Sequence, residues 1–326
     1  MPRIPSSPPP IPPRLNNTNS PLWSVMIPVY NCSEYLPDTL NSVLMNDIPQ
    51  EEMQIEVIDD ASTDADVKAL VERLGKGRIE YFRQAENVGS LRNFETCINR
   101  SRGNLVHILH GDDRVRKGYY EKIASLFQQY PDAGAAFCRF AYINEKGHQV
   151  DFQPAEGKEE GILKNWLLLI AEKQRIQYAA ITVRRDVYEQ LGGFYGLTYA
   201  EDWEMWARIA KHYPFVYTPQ IFAEYRRHTQ SISGGKFLRG EYLHDIKTVM
   251  EIIQEYLPPG QRKKVLRKSK RFYSSYALKV ANRLWSSFHD EKIVQANINE
   301  GLKMQKNFSN FFKAAKIHLK IFLKWK

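Results

Sequence analysis

Few of the features that would assign this chain quickly are there. No apolar run approaches the length of a membrane-crossing helix, and the amino-terminal end lacks the charged-then-apolar pattern of a signal peptide. The expectation is a cytoplasmic protein, at most peripheral on the inner face of a membrane. Cysteine is scarce. Cys32, Cys97 and Cys138 are far apart, odd in number and form no metal-binding pair, so they read as reduced thiols rather than a disulfide framework or a zinc site. The strand, Gly-x-Gly-x-x-Gly, helix fingerprint of dinucleotide binders is missing, as is a Walker loop, so phosphates must be held by another device. An evenly basic surface is missing too. The formal charge is +9, but residues 258 to 326 carry 17 Lys and Arg against three acids, a balance of +14 that leaves −5 for the rest. The positive charge belongs to the tail, which argues against a nucleic-acid partner.

What is there divides into three. Residues 1–22 are rich in Pro, Ser and Asn with almost no apolar content, the composition of a disordered or polyproline-like arm. From Trp23 onward strands alternate with helices, the strands falling over Trp23 to Val29, Gln54 to Ile58, Ile79 to Phe82 and Leu105 to Leu109. That rhythm means a doubly wound, mostly parallel α/β sheet flanked by helices, with right-handed crossovers. Beyond Ala135 to Phe140 the pattern loosens. A helix is expected over Ile162 to Glu172, a strand over Tyr178 to Val183, and a short helix over Arg185 to Leu191 closed by Gly192-Gly193. The α/β domain covers 23–240, and 241–326 is a basic helical region.

Three strands end in polar or acidic tips, at Asn31, Asp59-Asp60 and Asp112-Asp113, all on the carboxyl edge where open α/β sheets bind ligands. A helix cap needs one acceptor, not doubled acids. Asp112 and Asp113 side by side repel unless something cationic sits between or beside them. Hard divalent ions such as Mg²⁺ or Mn²⁺ suit carboxylate and phosphate oxygens. Further along, Asp202 starts a helix, and Arg226-Arg227-His228 precedes a polar Ser231 to Gly235 segment with the composition of a lid.

The pieces Val25-Met26-Ile27-Pro28-Val29-Tyr30-Asn31, Val57-Ile58-Asp59-Asp60-Ala61-Ser62-Thr63-Asp64, Asn87-Val88-Gly89 with Arg92-Asn93, His110-Gly111-Asp112-Asp113, Glu201-Asp202-Trp203 and Tyr225-Arg226-Arg227-His228 succeed one another over residues 23 to 235. In this order and spacing the chain resembles glycosyltransferase family 2, the nucleotide-sugar-dependent transferases of the GT-A fold. The resemblance implies a GT-A, Rossmann-like sheet with a helical C-terminal extension. It also implies an inverting transfer of a sugar from a nucleotide diphosphate donor, a UDP-sugar first, to a saccharide or lipid-linked acceptor in cell-surface polysaccharide synthesis. Pro28, Tyr30, Asn31, Asp60, Arg92 and Asp112 would face the nucleotide, Asp60 accepting from the uracil imide N–H. Asp112, Asp113 and His228 would hold a divalent metal, Mn²⁺ or Mg²⁺, at the diphosphate. Asp202 would be the general base, with Glu201 the alternative. The plain readings are a helix cap for Asp202 and a surface histidine for His228. Where many members of the family carry a further Asp, His110 stands, and a neutral imidazole is a poor ligand for a hard cation. The competing function is a catalytically silent sugar-nucleotide-binding or scaffold protein of the same fold, against which stand Asp112 and Asp202.

In the last segment, Asn307 to Lys326, a helical wheel puts Lys313, Lys316, Lys320 and Lys324 on one arc. Phe308, Phe311, Phe312, Ala315, Leu319, Phe322 and Leu323 fall on the opposite side. Two arrangements fit: a helix lying in an anionic membrane surface, or one packed on its own domain with its lysines toward water.

Overall fold

The computed structural model describes residues 2–14, 20–229, 236 and 242–324. It divides into two units, Met1–Trp166 with Ile176–Arg227, and Leu167–Arg175 with His228–Lys326. The first unit closes with the strand that ends at Arg226 and with Arg227 after it.

Its elements in chain order are β1 (Trp23–Val29), α1 (Leu36–Leu44), β2 (Met53–Asp59), α2 (Val67–Gly75), β3 (Glu80–Arg83), α3 (Ser90–Arg100), β4 (Leu105–Ile108), β5 (Arg114–Val115) and α4 (Tyr119–Gln129). Next come β6 (Ala135–Ile143), β7 (Gln149–Phe152), β8 (Gly161–Ile162), α5 (Trp166–Glu172), which belongs to the second unit from Leu167 onward, β9 (Ile181–Arg184), α6 (Arg185–Leu191), α7 (Glu201–His212) and β10 (Phe215–Arg226). One sheet runs β3-β2-β1-β4-β9-β6-β10-β5, with β7 on β6 and β8 on β10. The β3-β2-β1-β4 half is parallel throughout. β1 and β2 are buried along all seven residues, which is why their apolar content is not confined to alternate positions. The polar exceptions in these strands are paired: Ser24 Oγ donates to Gln54 at 2.6 Å, and Gln54 and Arg100 donate to Glu56 at 2.9 and 2.6 Å.

Two expectations change. β9 enters antiparallel to both β4 and β6, so the sheet is mixed in its second half. Tyr178 to Ala180, expected as the start of that strand, is a buried 3-10 turn; a short apolar run reads the same for either conformation. The second concerns the arm. Residues 2–14 take no helix or strand, yet they lie along the first unit, with Ile11 only 2% exposed and Pro9 buried. Gly193 and Gly196 donate their N–H groups to the carbonyls of Pro9 and Pro5, each at 2.8 Å, and Arg185 donates to Pro12 at 3.3 Å. Gly192 has φ +78°, and a Cβ there would stand 2.8 Å from the Pro9 carbonyl, so the glycine that closes α6 also gives the arm its seat. Proline has no N–H to donate but keeps its carbonyl, and the loop after α6 supplies the donors that the arm lacks.

The second unit is helical: α8 (Tyr242–Gln254), α9 (Pro259–Phe288), α10 (Glu291–Met304) and α11 (Phe308–Phe322). Tyr242 of α8 donates to Asn297 of α10 at 3.1 Å, and Ser274 of α9 donates to the Gly301 carbonyl at 2.6 Å. Among the described residues no helix is long and apolar enough to cross a membrane.

Two measurements check this packing. Ile11→Ala is expected to lower stability by about 2 kcal/mol or more in urea titration, as removal of a buried aliphatic side chain does; an arm loose in water would leave the midpoint unchanged. His107, fully buried in β4, has its pKa pushed down to about 3 by desolvation. The unfolded chain binds that proton below its ordinary value of 6.5, so between these values the unfolded state holds more protons and stability falls as pH falls. His107→Gln is expected to remove up to about 1.4 kcal/mol per pH unit from that acid slope, read as the difference between variant and wild type.

Candidate active site

The site begins where two strand tips nearly touch. A Cβ on residue 111 would stand 2.9 Å from Cys32 Sγ and 3.0 Å from Val29 Cγ2, so glycine lets the chain after β4 close onto the end of β1. The Gly111 N–H donates to the Pro28 carbonyl at 3.2 Å. Tyr30 is half exposed beside this junction, and Asn31 turns the chain in a left-handed conformation, φ 48°. Asn31 is tied to the second tip. Its N–H donates to Ser62 Oγ at 3.0 Å and its Oδ1 accepts from the Thr63 N–H at 2.8 Å.

The two acids of the second tip point different ways. Asp59 is buried, accepting from the Ser62 N–H at 2.9 Å, from the Tyr81 hydroxyl at 2.7 Å and from Arg83. Asp60 accepts from the Val88 N–H at 2.7 Å, the Gly89 N–H at 3.0 Å and the Asn87 amide at 3.0 Å. Desolvation pushes the Asp60 pKa up, while the Val88 and Gly89 N–H groups and the charge of Arg3 draw it down. Asp60 is thus the post that holds the 87–89 loop. Arg3, on the arm, donates to Asn87 Oδ1 beside it. Arg92 spends its guanidinium on Glu95, at 2.5 Å, and on the Pro2 carbonyl, at 2.9 Å. Sequence patterning had no means of placing Arg3 here, because the arm has no periodicity.

At the third tip, ligand-capable atoms of His110, Asp112 and Asp113 lie within 4.8 Å of one another. Asp113 is buried, and its Oδ1 accepts the Arg226 N–H at 2.8 Å. Desolvation and the charge of Asp112 push its pKa up, against the pull of the Arg226 N–H and guanidinium. The His110 ring stacks on Phe94, centroids 5.2 Å apart, and packs on Tyr178 at 4.3 Å. Desolvation lowers its pKa and keeps the imidazole neutral, and its buried Nε2 has no hydrogen-bond partner among the described residues. Two carboxylates and a neutral ring nitrogen are a donor set that fits a divalent cation. The nitrogen shifts its preference from Mg²⁺ toward a transition ion such as Mn²⁺.

Tyr178 reaches the other acids. Its hydroxyl donates to Glu201 Oε1 at 3.2 Å, at the head of α7. Burial pushes the Tyr178 pKa well up, with the charges of Glu201 and then Asp202 adding to it. Ala200, in a left-handed conformation with φ 66°, turns the chain into the helix, and Asp202 is 9% exposed in the first turn. Buried Trp203 and Trp206 anchor that turn, Trp206 meeting Tyr178 at 5.6 Å. Glu204 is spent on Arg208 at 3.0 Å, and Arg208 also donates to the Gly193 carbonyl at 2.9 Å. The sequence reading missed Tyr178, whose role depends on a turn and not on a motif.

The profile described as Glycosyl transferase family 2 matches residues 24–192, just over half of the chain. The chain belongs to glycosyl transferase family 2. Similar proteins include a Mycobacterium tuberculosis protein, 27% identical over 65% of this chain and 69% of that one. A Bacillus subtilis glycosyltransferase named for teichuronic acid biosynthesis, TuaG, is 28% identical over 67% of this chain and 83% of its own length. A Mycoplasma genitalium glycosyltransferase is 30% identical over 44% of this chain, which spans only 47% of it. Among solved structures, Staphylococcus aureus TarS in complex with UDP-GlcNAc superposes with a TM-score of 0.64 at 16% identity, covering 86% of this chain and 81% of that one. A Pyrobaculum calidifontis mannosyltransferase in complex with GDP-Man and Mn²⁺ gives a TM-score of 0.58 at 15% identity, over 99% of this chain and 91% of that one. At such identity these two establish the GT-A fold. The family match ends at 192, before Glu201 and Asp202.

Within this glycosyl transferase family 2 chain, the Arg226-Arg227-His228 triplet splits. Arg226 is buried: Nε donates to the Asp112 carbonyl at 2.8 Å, Nη1 to the Glu145 carbonyl at 3.0 Å and Nη2 to Asp38 at 2.9 Å. Arg227 lies over the Tyr142 ring at 3.5 Å. His228 belongs to the second unit, and the expected lid over Ser231 to Gly235 lies outside the described residues. Arg226→Ala is expected to cost about 3 kcal/mol or more, measured by urea unfolding, because it strands the Asp112 and Glu145 carbonyls and removes the guanidinium charge beside Asp113, though the backbone N–H to Asp113 stays. A loss below about 1 kcal/mol would show that the tip holds without the clamp.

Proposed function

We propose that this chain is an inverting glycosyltransferase that moves a sugar from a nucleotide diphosphate, a UDP-sugar, to a hydroxyl of a saccharide or lipid-linked acceptor. The observation that carries this reading is Tyr178, which packs on His110 beside Asp112 at one end and donates to Glu201 beside Asp202 at the other. A displacement needs an anion-handling end and a proton-accepting end close together, and one buried side chain spans the two.

In this reading Pro28, Tyr30, Asn31 and Asp60 shape the nucleotide end, Asp60 by fixing the 87–89 loop as well as by facing the base. Arg92 joins them by exchanging its contact with the Pro2 carbonyl for the ligand. Asp112, with Asp113 behind it and His110 as a nitrogen donor, would hold a divalent ion, Mn²⁺ before Mg²⁺. Such an ion, when bound, supplies positive charge for the departing nucleoside diphosphate. The acceptor oxygen forms its bond to the anomeric carbon as the bond from that carbon to the diphosphate oxygen breaks. The hydroxyl proton goes to the Asp202 carboxylate, with Glu201 as the alternative base. No protein nucleophile is required, so one positioned carboxylate suffices. UDP as the nucleotide is supported by the TarS complex. A cell-surface polymer as the product, made on the inner face of the membrane, belongs to the same proposal; the name of TuaG, given for teichuronic acid biosynthesis, bears on the polymer alone.

Calorimetry with UDP, GDP, dTDP and ADP, each with Mn²⁺ and with chelator, tests the reading. UDP is expected to bind selectively and only with metal. Asp202→Asn is expected to lower turnover about 100-fold or more while leaving the UDP affinity within about twofold. Full turnover in that variant would remove Asp202 from the role. Absence of binding by every diphosphate would leave a silent scaffold of the same fold as the answer.

A further inference from the structure

The last helix packs by a narrow seam and not by its wide apolar face. On α11 the buried positions are Asn310, Ala314 and Ile317, a narrow seam one to two turns apart. That seam is fixed by polar bonds. Asn310 donates to Ser274 Oγ of α9 at 2.6 Å, and the helix is capped by the Asn307 side chain, which accepts from the Asn310 N–H at 2.9 Å. Lys313 and Lys320 lie along α9, donating to Ser275 at 2.7 Å and to Asn282 at 3.0 Å. The wide apolar face points the other way: Phe308, Phe311, Phe312, Leu319, Phe322 and Leu323 are between 50% and 87% exposed. A helix serving only to cover its own unit would bury these side chains and show its lysines to water. This one leaves six large apolar side chains uncovered in 16 residues, a patch that marks an interaction surface.

Charge decides between occupants. α11 carries no Asp or Glu, and Lys313, Lys316, Lys320 and Lys324 run along one flank of the apolar face, within a region that holds a balance of +14 over residues 258 to 326. Two copies of this face would bring acid-free, lysine-lined helices together. An anionic lipid surface supplies the countercharge and the apolar depth at once. We propose that α11 is an interfacial helix that seats its phenylalanine face among the acyl chains of an anionic bilayer, with the exposed Lys316 and Lys324 at the headgroup phosphates. Spanning is not needed, since the helix has 15 residues and about 20 would be required. This inference stands on α11 alone and does not depend on the transferase reading.

The test is sedimentation of the full chain with phosphatidylcholine vesicles, and with vesicles that also contain phosphatidylglycerol. Binding is expected to the anionic vesicles only and to weaken as salt is raised. The triple variant Phe311→Ser, Phe312→Ser, Phe322→Ser is expected to lower vesicle binding about tenfold or more. Its thermal midpoint and helical circular dichroism should stay at wild-type values, because all three side chains are exposed. Binding left intact in that variant would mean attraction by charge alone and would overturn the seating of the apolar face. No binding to anionic vesicles would overturn it outright, as would a dimer, seen by analytical ultracentrifugation, that buries this face and excludes lipid.

Discussion

The buried guanidinium of Arg226 is the contact on which the acidic tip depends. Two neighbouring carboxyls at the end of a sheet repel, and each must lose water to sit there. Arg226 resolves this by taking Asp113 out of the pair. Its backbone N–H fixes the Asp113 carboxyl, and its guanidinium holds the Asp112 carbonyl, the 144–145 hairpin and Asp38 of α1. Adjacent, chemically identical residues thereby take different tasks. Asp113 becomes part of the wall, and the Asp112 side chain is left at the rim, half-buried. The cation that the doubled acids call for is, in part, supplied by the chain itself.

The rest of the site is arranged by aromatic packing rather than by further charge. His110 is neutral because Phe94 and Tyr178 take away its water, which leaves its ring nitrogen a donor of the kind a transition ion accepts. Tyr178 then connects that donor to the head of α7. Trp203 and Trp206 hold this head in place from below, so the two acids at its start are carried by a rigid element. The same economy operates at the second tip, where Asp59 pins its own turn and Asp60 holds the next loop.

Outside the site, composition misled in one place and left a choice open in another. A proline-rich arm with almost no apolar content has nothing to fold around by itself, yet Ile11 and the carbonyls of Pro5 and Pro9 are enough once the loop after α6 offers N–H donors. In the helical unit the wheel of the last helix was legible, but which arc faces inward was not. A three-residue seam bonded to α9 outweighs the larger apolar face because the polar groups at Asn310 and Ser274 satisfy one another when buried.

By itself the sequence determined the local order. Strand and helix alternation, the three acidic or polar tips and the family resemblance depend on residues adjacent in the chain, and periodicity and turn chemistry report them directly. Tertiary structure alone decided the partnerships: β9 reversed between two strands, Tyr178 in a turn linking His110 to Glu201, Arg3 set beside Asp60, and Arg226 locked onto Asp113. These join residues from 23 to 113 positions apart. Such contacts arise from which surfaces meet when the sheet closes, and a pattern read along one strand or one helix carries no record of its neighbour.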